Sequence, residues 1–583
     1  MRLIRLEPSK FFPVLLCFIL ALISCRVYLH EGLPSTHDSE NHLARFANYK
    51  IALKEGQFPP RLAPNLFHRY GYPVFNYNYP LPNILSVPFS LFKVPYITTF
   101  KVIMTSGVVL LLLGMWNWLS MVGIKKWAKL LAVTSIAASP YLLQTIIYRG
   151  SIGEVLAIAG IVWWLVWVES LRRGEEQFSN VSRWRHYLFS VQSILGGVLL
   201  ALFFLSHNVT VLFGTPVMLL FSIWWLWKTK KRLWTVAGAF ALGLGLSLWF
   251  WLPALAEQSA IIVGGSSLAQ QFMRHFPTHH QLLNSPLQFG FSFVGAVDSL
   301  SFAIGWVQIL GLLCFGGWVL AAAMGQKVAR GNLHQTGIVF FLLSLILIVF
   351  QLSFTTPIWQ MVSLARYIQF PWRLGLFLMI TSAVAIAWVA NQGLRWQVRL
   401  LTLVLLLQLF VGLRMNPAGY FNKSTLEYDL FEQSTTTSNE NLPRDFKFQH
   451  FVDWQPTAVI LDGRGTVSVS SWTGSKRSYT VVAETPVVMI EPTMYFPGWE
   501  TTVTTGNSYR LTSYLDNETV AGRLAYALEP GVYVVQTEFT QHTAPRIIGN
   551  LVSILSLAFL LGAGAWIFYA KVKKSRQLHV NQK

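Results

Sequence analysis

Residues 11–82, FFPVLLCFILALISCRVYLHEGLPSTHDSENHLARFANYKIALKEGQFPPRLAPNLFHRYGYPVFNYNYPLP, decide the architecture. They open on an apolar run long enough to cross a bilayer and continue into a long connection that begins with histidine and acid and ends in Tyr, Pro and Asn. Connections that only join two spans are usually short, so a long, aromatic, Pro-studded one at a membrane exit reads as a working surface. Asp38 stands at its start.

The rest of the chain repeats the apolar theme. A mean hydropathy of +0.46, with 53% hydrophobic and only 12% charged residues, excludes a soluble globule and indicates a polytopic helical membrane protein. Cys17, Cys25 and Cys314 lie in or beside apolar runs and read as small buried hydrophobes. There is no CxxC pair and no disulfide framework. The first 30 residues have a basic start and an apolar stretch but no small-residue cleavage site, which favours an uncleaved first span.

A formal net charge of +20 would suit a nucleic-acid partner, but its distribution argues against one. Of the 45 Lys and Arg residues, 23 fall in seven short clusters between apolar runs, such as Lys125, Lys126 and Lys129 or Lys228, Lys230, Lys231 and Arg232. The positive-inside rule puts all seven in the cytoplasm. The spans between them are 11–29, 98–122, 128–147, 152–170, 188–206, 209–227, 235–256, 301–323, 337–353, 372–390, 398–414 and 547–570. Twelve helices with both termini cytoplasmic follow, in the plasma (inner) membrane. The apolar stretch 82–96 is too short and too rich in Pro to span, and reads as a juxtamembrane or re-entrant helix on the outer face.

Three larger segments then face outward: 30–97, 257–300 and 415–546. In the last, runs such as TAVILDGRGTVSVSSW and GVYVVQTEF alternate apolar and polar residues between Gly, Pro, Asn and Asp, the pattern of an antiparallel β-sandwich. The expected organisation is a mainly α membrane domain over 1–414, a β domain over 415–546, and a last span with a basic tail over 547–583.

Acids outside the cytoplasmic face of the first 414 residues are few: Glu31, Asp38, Glu40, Glu55, Glu154, Glu257 and Asp298. A charge near hydrocarbon is costly and tends to be retained for a task. If SENHLARFANYKIALKEG is an amphipathic helix, Asp38, His42 and Arg45 stand at i, i+4 and i+7 on one face. Helix capping by Ser35 or Asp38 is the competing reading, and the two are not exclusive.

Several blocks together resemble one bacterial membrane-protein family: HDSENHLARFANYKIALKEGQFPPR, YGYPVFNYNYPLPN, YRGSIGEVLA at 148–157, LSHN at 205–208, WLPALAE at 251–257, IQFPWRL at 368–374, YFPGWE at 495–500 and TAPRIIGN at 543–550. The family is the one described as "6-pyruvoyl-tetrahydropterin synthase related, membrane domain", although no zinc-binding His set of that enzyme's kind occurs in the chain. The layout is also similar to the GT-C superfamily of polytopic glycosyltransferases, whose members carry an essential acid in the first outer loop. Asp38 occupies that position. The resemblance implies transfer of a sugar from a polyprenyl-phosphate carrier to a glycan, lipid or protein acceptor on the extracytoplasmic face.

Under that implication Asp38, with Glu40 as understudy and His42 beside it, deprotonates or orients the acceptor. Arg149, Arg366 and Arg373, with Arg45 and Arg61, are the cations for the leaving phosphate. Arg149 lies five residues before Glu154, so mutual pairing is its alternative role, and Arg373 at a helix entry is also placed to snorkel to headgroups. Glu154, His207 and Glu257 are supporting residues; His207 and the pair His279 and His280 are the histidines to consider as metal ligands. No metal site is assigned. The chain has Asp38-Ser39-Glu40 where some members of the superfamily have a DxD pair, so the need for a divalent cation is left open.

Two other classes compete. A flippase or transporter for lipid-linked sugars should show polar residues deep in several spans or a repeat between halves, and neither is visible. A non-catalytic scaffold for cell-envelope assembly accounts for the β segment but not for the first-loop block. No phosphate-binding G-x-x-x-x-G-K-[ST] loop occurs.

Overall fold

The computed structural model describes residues 8–174, 190–262, 272–293, 298–326, 334–436, 438–447, 454–505, 507–511 and 520–580. It is a multi-pass bundle of apolar helices carrying antiparallel β-structure near the C-terminus. Among the described residues eight helices are long and apolar enough to cross a membrane, and ten if each of two bent pairs counts as one span. The first bent pair is Lys126–Ala137 with Pro140–Arg149, turned by 42°; the second is Gln335–Val349 with Ser353–Met361, turned by 90°. Ser139-Pro140 explains the first bend, because a proline cannot donate to the preceding turn.

Two segments expected as spans form shorter apolar helices that are not among these. The first helix ends at Ser24 and gives way to a 3-10 turn, Arg26–Leu29, and the helix expected over 188–206 is Val191–Phe204. The latter packs closely on Leu233–Ala256: a Cβ on Gly197 would lie 2.8 Å from Leu242, and one on Gly243 2.6 Å from the Leu200 Cβ. Small residues at such a crossing let helices gain packing where no hydrophobic driving force exists in lipid. The stretch expected to be too short to span forms Leu81–Leu91.

Burial separates central helices from peripheral ones. Ile152–Arg173 and Pro371–Gln392 are 78% and 83% buried over their most apolar windows, whereas Ala544–Trp566 is 11% buried. The first two are central in the bundle, and the last helix is a flank.

The three long connections lie against one another. β1 (Leu33–Pro34) pairs antiparallel with β2 (Tyr420–Phe421). The Met494 N–H donates to the Tyr70 carbonyl at 2.9 Å and the Arg444 N–H to the Ala260 carbonyl at 3.0 Å.

Beyond them run β3 (Val459–Asp462), β4 (Gly465–Trp472), β5 (Lys476–Ala483), β6 (Val487–Met494), β7 (Trp499–Thr505), β8 (Asn507–Leu511), β9 (Arg523–Leu528) and β10 (Gly531–Phe539). They form two sheets, β4-β5-β10-β7-β8 and β3-β6-β9, every pair antiparallel. Tyr479, Val481, Val503 and Val535 of one sheet meet Met489, Tyr526 and Leu528 of the other. The alternation read from the sequence is this inward and outward period of two. Inside lies a buried Arg477–Glu491 pair, its guanidinium 4.6 Å from each of the Trp472 and Trp499 rings. Residues 420–435 pack on the first long connection instead, through Lys50–Asp429 at 2.8 Å and Arg45 to Thr435.

Candidate functional site

Asp38 is fixed by backbone, not by its side chain. The His37 and Asp38 N–H groups donate to the carbonyls of Tyr148 and Arg149, both at 3.0 Å, and Ser35 N–H donates to Gly419 at 2.8 Å. Those carbonyls are free because the second half of the bent pair ends in a wider π-type turn, Thr145–Arg149, closed by Gly150 at φ 64°. Such turns often mark functional positions. A Cβ on Gly150 would lie 2.3 Å from Thr36 Oγ1 and 3.1 Å from the Ser39 nitrogen, so only glycine lets the first loop seat here.

The expected competitor for Asp38, helix capping, is taken by another residue. Asp38 is the N-cap of the helix Ser39–Lys54 but makes no side-chain cap bond. Thr36 Oγ1 accepts the Ser39 N–H at 3.0 Å instead. The half-buried Asp38 carboxylate makes no hydrogen bond or ion pair with any described residue. It lies within electrostatic reach of His37, Tyr79, Arg149 and Arg373.

Arg149 ends the π-type turn just before the central helix Ile152–Arg173, and Arg373 stands in the first turn of the other central helix, Pro371–Gln392. Arg149 meets Glu154 at 2.6 Å and lies 5.0 Å over the Trp372 ring; Tyr141 donates its hydroxyl to the same carboxylate. Its Nη1 has only long contacts, 3.4 Å to Tyr141 and 3.5 Å to Thr145. Arg373 donates to the Ile368 carbonyl at 3.1 Å and to Gln369 Oε1 at 3.0 Å, while its buried Nε has no hydrogen-bond partner among the described residues. Both guanidiniums are within electrostatic reach of Glu154 and Asp38, and among the described residues Glu154 is the one of the two carboxylates that forms an ion pair.

Beside them His42 and His207 flank Tyr79, whose hydroxyl is 3.4 Å from His42 Nε2 and whose ring centroid is 5.0 Å from that of His207. Gly153 leaves room for this ring: a Cβ there would come within 2.3 Å of it. His207 caps the helix Asn208–Trp225, its Nδ1 accepting the Thr210 N–H at 3.3 Å. Burial pushes His42 well below the ordinary imidazole range and His207 down to about 3, so both are neutral at pH 7. His42 packs among Phe46, Tyr79 and Phe100 and is a wall of the site.

Other expected residues are held elsewhere. Glu40 pairs with Lys423, and Arg45 donates to Thr435. The helix read as amphipathic is wrapped on most sides, Ser39, His42, Leu43, Arg45, Phe46 and Tyr49 all being buried, so Arg45 is satisfied inside the packing and not at Asp38. Arg61 and Glu257 belong to a second buried cluster. Glu257 meets Arg546 at 2.9 Å and accepts from Asn76 at 3.0 Å and Thr543 at 2.6 Å. Arg61 donates to the Trp249 carbonyl at 2.6 Å, and burial, then Arg546, pushes its guanidinium down to about 9. The side chain of Arg366 lies outside the described residues. His279 and His280 are exposed on a short helix, His279–Leu283. Among the described residues no group of three or more His, Cys, Asp or Glu side chains could hold a metal ion.

Sequence reasoning passed over His37, Tyr79, Tyr141 and Trp372. His37 stacks on Phe291 with centroids 4.7 Å apart, and its Nε2 is 2.9 Å from the Gly290 carbonyl. Burial lowers its basicity, while Asp38 opposes the shift. Its signal was adjacency to Asp38; Trp372 sat in view beside Arg373 in IQFPWRL.

Comparison with protein-family models gives no match, and neither does comparison with curated proteins. Among solved structures the chain is similar to the arabinofuranosyltransferase AftD from Mycobacteria, at 16% identity and a TM-score of 0.40. The match covers 70% of this chain and 26% of that one, so the chain spans about a quarter of the enzyme's length.

Proposed function

We propose that the protein is an integral membrane glycosyltransferase of the GT-C kind, related to the "6-pyruvoyl-tetrahydropterin synthase related, membrane domain" family. It moves a sugar from a polyprenyl-phosphate carrier to a glycan, lipid or protein acceptor on the extracytoplasmic face. In this reading the twelve apolar segments are all spans, both termini are cytoplasmic in the plasma (inner) membrane, and the long connections face outward. The observation that carries it is Asp38: a carboxylate pinned by its backbone, relieved of capping by Thr36, without a side-chain partner among the described residues, and within electrostatic reach of two arginines.

The chemistry follows from that arrangement. An acceptor hydroxyl gives its proton to the Asp38 carboxylate as its oxygen attacks the anomeric carbon. The bond from that carbon to the carrier phosphate breaks, and the electron pair leaves on the phosphate. Arg149 Nη1 and Arg373 Nε, the donors with weak or no partners, face the growing negative charge, where guanidinium forks suit phosphate oxygens. Glu154 holds Arg149 in place. Glu40, Arg45, Arg61 and Glu257 act as braces of the loops around the site.

The test offers purified protein radiolabelled polyprenyl-phosphate sugars with cell-envelope extract and compares wild type with Asp38→Asn. Transfer by the wild type alone supports the reading. Equal transfer by both removes Asp38 as the base, and no transfer with any donor removes the glycosyltransferase assignment.

A further inference from the structure

A cavity of about 700 Å³ lies between the helices Trp306–Ala323 and Arg395–Leu413. Its walls are apolar, with Ile309, Leu313, Val404 and Leu407 among them, and Leu313 and Leu407 are exposed, so it opens on the bundle's perimeter. Both helices are peripheral, 33% and 28% buried over their most apolar windows. In a membrane protein such an opening meets acyl chains, not water.

One end of the cavity is cationic. Arg414 lines it, exposed, with its guanidinium 4.3 Å from the Phe410 ring. Arg26 lies at the same end, donating to the Gly412 carbonyl at 3.0 Å and to the Met415 carbonyl. Neither guanidinium forms an ion pair with a described residue. Asn284 and Ser285 also line it, the Ser285 hydroxyl donating to the Gln281 carbonyl at 2.5 Å. Apolar walls ending at unpaired arginines are complementary to a phosphate ester on a long apolar tail.

Asp38 does not line this cavity. Leu287 lines it, and the Leu287 carbonyl accepts the Tyr148 hydroxyl at 2.9 Å. Three residues on, the Gly290 carbonyl meets His37 Nε2. Segment 287–290 therefore touches both the cavity wall and the first loop, while Asp38 itself is not among the residues that line the cavity. The volume falls within the roughly 300–1,000 Å³ typical of single-ligand pockets, which suits acyl chains better than a long polyprenyl chain.

We infer that this cavity is a resident site for an anionic bilayer phospholipid, its acyl tail between the two helices and its phosphate at Arg414, with Arg26 adding charge. The inference rests on the membrane character of the chain and not on the proposed transfer. The test is native mass spectrometry of the detergent-purified full chain titrated with phosphatidylglycerol, phosphatidylcholine or polyprenyl phosphate. Wild type is expected to retain phosphatidylglycerol about fivefold more tightly than phosphatidylcholine, the effect of one arginine near a phosphate. Arg414→Gln should abolish that preference, and Val404→Trp, which fills the cavity, should release both phospholipids. Equal retention by wild type, a preference that survives Arg414→Gln, or displacement by polyprenyl phosphate at equal or lower concentration would each overturn the inference.

Discussion

The Arg149 guanidinium and the Glu154 carboxylate meet at 2.6 Å with 5% and 1% of their side chains exposed, on either side of the left-handed Gly150. Removing one partner of such a pair strands the other charge, which typically costs about 3–5 kcal/mol, whereas removing both costs far less. Glu154→Gln should therefore lower the unfolding midpoint in detergent sharply, and Arg149→Gln/Glu154→Gln should recover part of the loss. Additive effects in that double-mutant cycle would show that the pair is not coupled.

Asp38→Asn should leave thermal stability unchanged, because the carboxylate caps nothing, and should reduce sugar transfer by about 10²–10⁴-fold, the range for a lost general base. Thr36→Ala should behave the opposite way in stability, losing about 1 kcal/mol as the cap on Ser39 disappears. A stability loss in Asp38→Asn matching that of Thr36→Ala would return Asp38 to a structural role.

His207 and His42 set a pH dependence whose sign is fixed by burial. Their folded-state affinity for protons is depressed, so below the ordinary value of 6.5 the unfolded chain binds protons that the folded chain does not. Stability is full above pH 6.5 and falls as the pH drops toward the folded-state value of about 3 for His207. Between pH 6.5 and about pH 5 His207 should contribute a loss of about 2 kcal/mol. Thermal unfolding at the two pH values should show a smaller difference for His207→Gln than for wild type; an unchanged difference would count against the assignment.

Gly150→Ala and Gly71→Ala separate backbone strain from a steric clash. Both glycines have positive φ, 64° and 78°, but nothing lies within 4 Å of a Cβ on Gly71, while one on Gly150 meets Thr36 at 2.3 Å. Gly71→Ala should cost about 1–2 kcal/mol and retain transfer. Gly150→Ala should cost more and lose most transfer, since the first loop can no longer seat Asp38 on Arg149. Equal residual activity in the two variants would show that this seating does not matter to the reaction.

Much of the fold was legible because its signals are local. Hydropathy over a window of about 20 residues marks a span, and period-two alternation marks a strand, whatever the rest of the chain does. The segments expected as spans are helices, with breaks at Ser139-Pro140 and after Val349 that shift ends and bend axes. The pairing of Arg149 with Glu154 was visible as a five-residue spacing. Asp38 was visible as an acid at a membrane exit, but its freedom from capping was not, since Ser35, Thr36 and Asp38 all have side chains able to cap.

By itself, then, the sequence determined a polytopic helical membrane protein with antiparallel β-structure near its C-terminus, and it singled out the loop that holds Asp38. Only the tertiary structure decided which charges meet. It turned Arg45 to Thr435, joined Glu257 to Arg546, and set Arg373 and Arg149 around one acid. A buried charge must find a partner at hydrogen-bonding distance, and which partner is near depends on which helices neighbour one another, a relation between segments hundreds of residues apart that no local window contains.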